Sequence, residues 1–510
     1  MVHRWMGPAA ARLVLVLLGC AASAEGGGTV VHLKPGVAQL FIDDELIESQ
    51  QGLERRLHCP VKDEGGNEPI IAARPGTTIL AYGTIVFDTR LKKYVMFSQG
   101  FVERNMYRFT SKDGLNWDTG EGGEFEEITL GPPPEKEPGA IGKPGIDVFS
   151  CFYDTRDGEW PYKGWLYYAN YGPNREGIYY VRSQDGRKWD RLNLVVNAWA
   201  GPGDTSARRI EQDGKEVYGP GDVTLFYHDP IDNRFLGIFK FFTSEKVGRA
   251  GNNLRSRAYH FFDRLDEPFE GDRIDRIALL PPAEAKDNNG PADEFYASTA
   301  WRYESLWLGG LKVWHGKDDY PYSESGCAFF KLVVSRDGLN WHKVSFKNDT
   351  GVPEVFIPNG PQGGNNGRND GGYMSEFSQG PLRIGDELIY YYSASSWGKN
   401  APPDKRLFGG GIFRARLRID GFVSVVGGTL TTKPLVTTGN DLTINATGPV
   451  SVAAIGADGR ILGEARVTGD SLRHEIRFEG KTLGDLAGGK AVRLRFSVMP
   501  PGHLYSFTVR

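Results

Sequence analysis

A seven-residue pattern occurs three times in this 510-residue chain: Ser, any residue, Asp, Gly, any two residues, Trp. The copies begin at Ser111, Ser183 and Ser335, so their starts lie 72 and 152 residues apart. Each copy follows a run rich in aromatic and β-branched residues, which predicts a strand that ends in a tight turn built by the Asp and the Gly. Because the second interval is about twice the first, the spacing predicts one repeating β-unit of about 75 residues.

Five copies of this unit can be laid out over residues 75–428. The third copy lacks the turn signature at its final hairpin, near residues 259–265, which accounts for the double interval. Repeated β-units of fixed length pack radially, so the pattern predicts a five-bladed β-propeller. We expect the propeller to occupy residues 30–428, with a strand from Val37 to Leu46 helping to close its ring.

The composition of the chain changes after the fifth unit. Residues 429–439 contain Thr, Pro and Gly, and we interpret them as a linker. Residues 440–510 hold five short alternating runs, which is the spacing of a small β-sandwich. The predicted fold class is therefore all-β, a five-bladed propeller followed by a C-terminal sandwich.

The N-terminus has the pattern of a signal peptide over residues 1–24. An apolar run at Leu13–Leu18 precedes a small-residue cleavage site at residues 22–24, and the run is too short to span a bilayer. The sequence Leu-Leu-Gly-Cys ending at Cys20 also resembles a bacterial lipobox, with Cys20 as the residue that would carry lipid. We expect an exported protein that is periplasmic, anchored to the outer membrane or extracellular.

Charge and cysteine content exclude several classes of function. The net charge of −4 gives no electrostatic signature for nucleic acid or an anionic membrane, and no later run is long and apolar enough to be a transmembrane segment. Outside the leader the cysteines are Cys59, Cys151 and Cys327, which allow at most one disulfide. Their spacing relative to His does not suggest zinc.

The three turns resemble the Asp-box hairpins of propeller glycosidases and sialidases. Five blades with a C-terminal sandwich resemble glycoside hydrolase family thirty-two, the invertase and fructanase family, and arabinanase-like propellers. Residues 40–44, 303–306 and 504–507 are similar to exported bacterial proteins that resemble the invertase-family N-terminal domain. The resemblance implies a carbohydrate substrate. It does not extend to fructosides, because the Trp-Met-Asn-Asp-Pro-Asn-Gly stretch of invertases and their Glu-Cys motif are absent.

Glycoside cleavage needs two carboxyl groups across the scissile bond, one protonated and one ionised. In such propellers the inner strands begin at a central funnel, where Asp147 and Asp222 align with each other in the repeat. Glu304 lies in an apolar run, where burial would raise its pKa as a general acid requires. We predict Asp147 and Asp222 as base or nucleophile and Glu304 as acid. Capping of turns or strands by the two Asp, and an ion pair between Glu304 and an arginine, are the structural alternatives.

Four further residues are candidates for substrate binding. Glu376 lies near the start of the fifth unit, Tyr82 and Trp301 could stack on sugar rings, and Arg257 could bind an anionic sugar. Packing in the blades is the alternative for the aromatic pair. No cofactor is predicted: the architecture has room for Ca²⁺ in its central channel, but no Asp/Asn loop has calcium-loop spacing.

The sequence therefore predicts an exported glycoside hydrolase that cleaves plant or algal polysaccharides and oligosaccharides with a carboxylate pair in the propeller funnel. The alternative is a non-catalytic carbohydrate-binding propeller at the cell surface. A cell-surface scaffold without a ligand is a third interpretation, because a fold does not by itself fix a function.

Overall fold

The structure is a computed structural model that describes residues 29–120, 123–198, 208–243, 254–269, 274–281, 293–316, 326–351, 354–402, 404–405 and 408–510. The predicted signal peptide, residues 1–24, and Cys20 within it lie outside the described residues. The described chain is almost entirely β-structure, and its short helical segments are Asp63–Gly66, Gly364–Gly367 and Leu483–Ala487. None of the described helices is long and apolar enough to cross a membrane.

Five sheets follow one another along the chain, each built mainly of antiparallel hairpins. The first contains Ile79–Leu80, Ile85–Asp88, Lys93–Gly100, Asn105–Ser111 and Glu126–Glu127. The second contains Thr129–Leu130, Gly145–Tyr153, Tyr162–Ala169, Gly177–Ser183 and Lys188–Asn197. The third contains Arg208–Gln212, Lys215–Gly219, Leu225–Asp229, Arg234–Thr243, Arg255–Phe262 and Arg276–Leu279.

The fourth sheet contains Asp293–Ser298, Trp301–Tyr303, Leu306–His315, Cys327–Ser335 and His342–Lys343. The fifth contains Val61–Lys62, Ile71–Ala72, Met374–Glu376, Leu382–Ile384, Glu387–Ala394 and Gly411–Arg418. The fifth sheet thus joins two strands from the N-terminal part of the chain to four strands that follow the fourth sheet.

These five sheets form a closed ring, because each contacts the next and the fifth contacts the first. Hydrogen bonds mark every junction: Phe149 N–H to the Tyr82 carbonyl, Phe226 N–H to the Ser150 hydroxyl, Arg302 N–H to the Tyr227 hydroxyl, Thr299 hydroxyl to the Glu376 carboxyl, and Ala81 N–H to the Ser393 hydroxyl. The turns that follow the first strands meet from sheet to sheet, as the contacts of Tyr162 with Asp88, Arg156 with Asn233 and Arg302 with Asp229 show, so the first strands of neighbouring sheets run in the same direction. We call the rim where these strands begin the leading rim, and the rim where they turn back the turn rim.

Two further sheets lie outside the ring. The sixth contains Gln39–Leu40, Glu54–Leu57, Val423–Val426, Leu442–Thr447, Ser471–Ile476 and His503–Val509. The seventh contains Ile47–Gln51, Thr429–Thr432, Val450–Ile455, Ile461–Val467 and Arg493–Val498. A parallel pair, Val31–His32 with Leu435–Val436, completes the strands. Residues 429–439, expected to be a linker, therefore contain paired strands.

The segment from Val37 to Leu46 does not close the ring, which corrects the expectation from sequence. Its strand pairs with the last strand of the chain, Gln39 opposite Phe507. Its side chains alternate between two cores: Leu40 and Ile42 pack in the core of the fourth and fifth sheets, and Phe41 packs between the sixth and seventh. The segment is apolar on both faces because it lies between two layers. Strands Val61–Lys62 and Ile71–Ala72 close the ring instead, by pairing with Gly411–Arg418.

The Ser-x-Asp-Gly turns have the geometry that the sequence predicts. In each copy the Ser hydroxyl accepts a hydrogen bond from the Gly N–H, at 2.9 Å for Ser111 and Ser183 and 3.0 Å for Ser335. The Asp carboxylate accepts the two backbone N–H groups that follow the Gly, as Asp185 does from Arg187 at 2.8 Å and Lys188 at 3.0 Å. The turns follow the third long strand of the first, second and fourth sheets, so they fix outer hairpins.

We expect the Asp185→Ala variant to lower the free energy of unfolding by about 1–2 kcal/mol at pH 7, because two backbone N–H groups lose a charged acceptor. Burial raises the pKa of Asp185, but the hydrogen bonds from Lys188 and Arg187 outweigh it and hold the pKa below its usual value. This stabilisation is therefore complete above the pKa of the unfolded chain, about 3.9, and is lost as the pH falls below it. Urea unfolding at pH 7 and pH 3.5 measures both effects.

The exposed neighbour Gln184 is the matched control, and Gln184→Ala should change the unfolding free energy by less than about 0.5 kcal/mol. Equal losses in the two variants at pH 7 would contradict the role given to the Asp185 carboxylate.

Candidate active site

Asp147 and Asp222 lie at equivalent places on the leading rim, in adjacent sheets. Each stands seven residues before an Asp that caps the turn at the other rim, Asp154 and Asp229 respectively, through backbone N–H donors. Each also accepts a hydrogen bond from the N–H of the valine that follows it, at 2.9 Å for Asp147 and 2.8 Å for Asp222. Both carboxylates are partly exposed. The structure therefore brings this predicted pair to one rim.

The second long strand of each sheet contributes one residue at the level of this rim. These residues are defined by their pairing with the first strand, and all are buried: Gln99, Tyr167, Lys240, Lys312 and Ser393. The same position in the repeat thus holds a lysine in the third and fourth sheets. A lysine in a buried strand needs a partner for its charge.

Lys240 finds its partner in Asp222. The two side chains form an ion pair, with Lys240 only 7% exposed and Asp222 44% exposed. Burial lowers the pKa of Lys240, the nearby cations add to this, and Asp147 opposes it. A β-carbon on Gly221 would lie 2.3 Å from Cε of Lys240, so the chain carries a glycine where the lysine passes.

Lys312 is enclosed by hydroxyl groups and aromatic rings. Its Nζ donates hydrogen bonds to the Tyr82 hydroxyl at 2.7 Å and the Ser375 hydroxyl at 2.8 Å, and it lies 3.4 Å from the centre of the Tyr373 ring. Burial lowers the pKa of Lys312 well below its ordinary value. Tyr82, predicted to bind substrate, therefore lies on the leading rim and holds this lysine.

Two further cationic side chains, Lys399 and Arg255, lie beside Tyr296. Lys399 Nζ donates to the Tyr296 hydroxyl at 2.6 Å, and the Arg255 guanidinium lies 4.5 Å from the ring centre and pairs with Glu294 at 2.6 Å. Burial by itself raises the pKa of Tyr296, but Lys399 and Arg255 outweigh burial and lower it to about 8. The phenol of Tyr296 therefore ionises at a lower pH than that of an ordinary tyrosine.

Glu304 does not join Asp147 and Asp222, although the three were predicted to converge. It lies at the turn between Trp301–Tyr303 and Leu306–His315, with a φ of 53°, and its carboxylate accepts the Ala38 N–H at 2.9 Å. This is the turn rim, as the ion pair between Arg302 and Asp229 shows. Seven extended residues separate this rim from Asp222, about 20 Å. Burial raises the pKa of Glu304, as expected, but at the wrong end of the strands for a partnership with Asp222.

Trp301 and Arg257 are also placed differently from the prediction. Trp301 is 4% exposed in the core between the fourth and fifth sheets, with its ring 6.1 Å from that of Tyr390, so it offers no face to a sugar. Arg257 is fully buried and donates to the carbonyl oxygens of Val223, Phe295 and Tyr296. It ties the third sheet to the fourth, and burial lowers its pKa to about 9.

Glu376 is buried between the fourth and fifth sheets. Its carboxyl accepts a hydrogen bond from the Thr299 hydroxyl at 3.2 Å, and a β-carbon on Gly310 would meet the same oxygen at 1.6 Å. Burial raises the pKa of Glu376 to about 8, and the bond from Thr299 opposes this only in part. Glu376 is therefore a neutral acid at pH 7, on the strand that also carries Ser375.

Sequence reasoning missed Lys240, Lys312, Lys399 and Tyr296 as parts of this site. A signal for the first two was present, because each is a single lysine in an otherwise apolar strand, Arg234–Thr243 and Leu306–His315. Alignment of the repeats would have placed both at one level. Lys399 lies outside the strands, on the connection that follows Glu387–Ala394, and Tyr296 lies next to Ala297, the residue that pairs with Lys312.

Two cavities formed by described residues lie away from the leading rim. One of about 680 Å³ is lined by Asp43, Arg55, Arg336 and neighbouring residues on the outside of the fourth sheet. Another of about 230 Å³ opens at the turn rim beside Thr84, Cys151 and Gln379. Acidic and basic side chains line the first cavity, but they pair with one another, as Arg336 does with Asp43 and Arg55 with Asp44. No group of three or more His, Cys, Asp or Glu side chains in the described part of the chain could hold a metal ion.

No protein-family model matches this chain, and no curated protein matches it. Solved structures that resemble it include a thermostable family-43 glycoside hydrolase, with 11% identity, a TM-score of 0.41 and coverage of 69% of this chain and 93% of that one. A family-43 β-1,3-galactosidase with galactodeoxynojirimycin has 14% identity, a TM-score of 0.34 and coverage of 72% and 94%. An exo-β-1,3-galactanase from Phanerochaete chrysosporium has 10% identity, a TM-score of 0.32 and coverage of 90% and 100%. Likenesses this remote say nothing about the activity of this chain.

The buried acid gives a prediction for stability. The pKa of Glu376 in the folded protein, about 8, lies above that of an unfolded glutamate, about 4.3. Between these values the unfolded chain releases a proton that the folded protein keeps, so the contribution of Glu376 to stability falls as the pH rises. We expect Glu376→Gln to remove this dependence and to gain stability over wild type, by on the order of a few kcal/mol, between pH 5 and pH 8.

Urea unfolding of both proteins at pH 5, 6.5 and 8 measures the difference. Glu135→Gln, at an exposed position, is the control and should follow wild type at every pH. A constant difference between Glu376→Gln and wild type across this range would show that the Glu376 carboxyl is ionised throughout.

Proposed function

We propose that the five sheets of the ring are the blades of a five-bladed β-propeller and that the sixth and seventh sheets form a β-sandwich beside it. The hydrogen bonds that join each sheet to the next, and the fifth to the first, support the propeller. The sandwich is supported by a separate core in which the rings of Phe41, Phe496 and Phe507 lie within 5.9 Å of one another.

We propose that the protein is a glycoside hydrolase whose carboxylate pair is Asp147 and Asp222. The observation that carries this proposal is their equivalent placement on one rim of the ring, partly exposed in adjacent sheets. Two carboxyl groups on facing sides of a cleft are what glycoside cleavage requires. Glu304, at the other rim, has no part in the reaction.

Their surroundings assign different roles to the two carboxyl groups. The ammonium group of Lys240 stabilises the ionised form of Asp222, which suits a base or nucleophile. Asp147 forms no ion pair with a described residue, and we assign it the other role of the pair, that of the general acid. Asp147 would protonate the glycosidic oxygen as the bond from that oxygen to the anomeric carbon breaks. Asp222 would either take a proton from the attacking water or bond to the anomeric carbon itself.

Plant or algal oligosaccharides are the proposed substrates, and Tyr82 helps to form the site through its contact with Lys312. We propose that the protein acts after export, in the periplasm, at the outer membrane through lipid on Cys20, or outside the cell. The features that support export are the apolar run and cleavage site of residues 1–24.

A second candidate is a non-catalytic carbohydrate-binding protein. The observation that favours it is the distance between Glu304 and Asp222, because the expected acid does not reach the rim where the other two carboxylates lie. Substitution of Asp147 and of Asp222 separates the two candidates.

We expect Asp147→Asn and Asp222→Asn each to lower kcat on a hydrolysed oligosaccharide by about 10³-fold or more, since each removes a group that transfers a proton or attacks the sugar. Glu304→Gln should keep kcat within about threefold of wild type, because it lies at the opposite rim. Initial rates on a panel of aryl glycosides and of plant and algal oligosaccharides measure these effects, with urea midpoints as the check on folding.

Loss of activity in Glu304→Gln with retention in the two Asn variants would overturn the assignment of the pair. Absence of turnover on every substrate, with glycan binding unchanged in the Asn variants, would favour the binding protein over the enzyme.

A further inference from the structure

The leading rim holds an unusual concentration of positive charge. Lys240, Arg255, Arg257, Lys312 and Lys399 lie close enough to lower one another's tendency to hold a proton, as the pKa of both Lys240 and Lys312 shows. Asp222 pairs with Lys240, and Glu294 pairs with Arg255. Arg257 uses its donors on backbone carbonyl groups. Two cations remain to be matched.

Lys312 and Lys399 have no carboxylate partner among the described residues. The negative charge of Asp147 raises the pKa of Lys312, but the two side chains form no ion pair. Lys312 is 1% exposed, and its hydrogen bonds go to the neutral hydroxyls of Tyr82 and Ser375. Keeping an ammonium group in such a place without an anion is costly, so a bound anion would stabilise it.

The two lysines lie against the same pair of aromatic rings. The Nζ atom of Lys312 lies 3.4 Å from the centre of the Tyr373 ring and 5.2 Å from that of Tyr296. The Nζ atom of Lys399 lies 4.6 Å and 4.4 Å from the same two centres. The rings themselves are perpendicular, with centres 5.6 Å apart. Lys312 and Lys399 are therefore held near each other, with hydroxyl donors beside them, an arrangement that suits an oxyanion.

We propose that Lys312, Lys399 and the Tyr296 hydroxyl form a subsite for an oxyanion carried by the sugar, either the carboxylate of a uronic acid or a sulfate ester. The proposal rests on the proposed glycoside hydrolase and names the class of its substrate: an acidic glycan rather than a neutral one. Because Asp147 and Asp222 lie on the same rim, the acidic group would hold the sugar next to the carboxylate pair.

Tyr296 makes this subsite dependent on pH. Below its pKa of about 8 the phenol is neutral and donates to the ligand; above it the phenolate takes the place of the anion beside the lysines. Affinity for an acidic glycan should therefore fall as the pH rises through 8. The titratable and charged groups that face Tyr296 are Lys399, Arg255, Tyr373, Lys312, Tyr82 and Arg257.

Calorimetric titration with three matched probes tests the subsite: a galacturonate trisaccharide, a sulfated galactose trisaccharide and the unmodified galactose trisaccharide. We expect one acidic probe to bind at least tenfold more tightly than the neutral one at pH 7, and its identity tells a carboxylate from a sulfate. Lys399→Gln should remove that preference and leave the neutral probe unchanged. Lys405→Gln, an exposed lysine on the same connection, should change neither.

A second titration compares wild type with Tyr296→Phe at several pH values. This variant tests the subsite without a substitution of the buried Lys312, which would endanger folding. Wild type should lose up to about tenfold in affinity for the acidic probe between pH 7 and pH 9, and Tyr296→Phe should lose less. Equal binding of all three probes, or an unchanged preference in Lys399→Gln, would overturn the subsite. Tight binding of an acidic probe without hydrolysis would overturn the proposed hydrolase activity and leave the subsite. Hydrolysis without a preference for an acidic probe would overturn the subsite and leave the hydrolase activity.

Discussion

The ring depends on the pairing of two short N-terminal strands with the last strand of the fifth sheet. Val61–Lys62 and Ile71–Ala72 pair with Gly411–Arg418, about 340 to 355 residues further along the chain. Closing so long a loop costs conformational entropy, although the cost grows only slowly with length. A buried ion pair between Lys62 and Asp370 reinforces the junction, and the Tyr392 hydroxyl donates to the same carboxylate at 2.9 Å. Without this closure the fifth sheet would lose its outer strands.

Closure of the ring also explains why charged and polar side chains from several sheets lie together at the leading rim. All five sheets present the start of a strand there, so residues far apart in sequence become neighbours without any long loop to position them. The repeat gives every sheet an equivalent buried position. A substitution at this position in one sheet changes the leading rim and leaves the other sheets as they are. Lysine at two of these positions, against glutamine, tyrosine and serine at the rest, gives the rim its positive charge. Asp147 lies within the first strand of its hairpin and Asp222 three residues before its own, and both occupy the neighbouring position on this rim.

Sequence reasoning found the repeated turns and the equivalent placement of Asp147 and Asp222, but it missed Lys240 and Lys312, which also share a position in the repeat. The Ser-x-Asp-Gly turns, the five units and the shared level of Asp147 and Asp222 all follow from spacing, because periodic residues take periodic positions. Glu304 was misplaced because apolar neighbours indicate burial but not which end of a strand a residue occupies. Trp301 was misplaced for a similar reason, since most large aromatic side chains in stacked sheets are core. The ring-closing strands are two residues long, too short for alternation to reveal. The contact of Lys399 with Tyr296 joins the connection after Glu387–Ala394 to the fourth sheet, and no local pattern encodes it.

The alternation of side chains in the segment from Val37 to Leu46 ties the ring to the pair of sheets beside it. Leu40 and Ile42 are part of one core and Phe41 of the other, so a single strand is shared by both. The last strand of the chain, His503–Val509, holds this segment in place. A chain cut short after the fifth sheet would leave Leu40 and Ile42 without the strand that orients them. The two parts should therefore melt in one cooperative transition, and recombination in evolution would have to exchange them together.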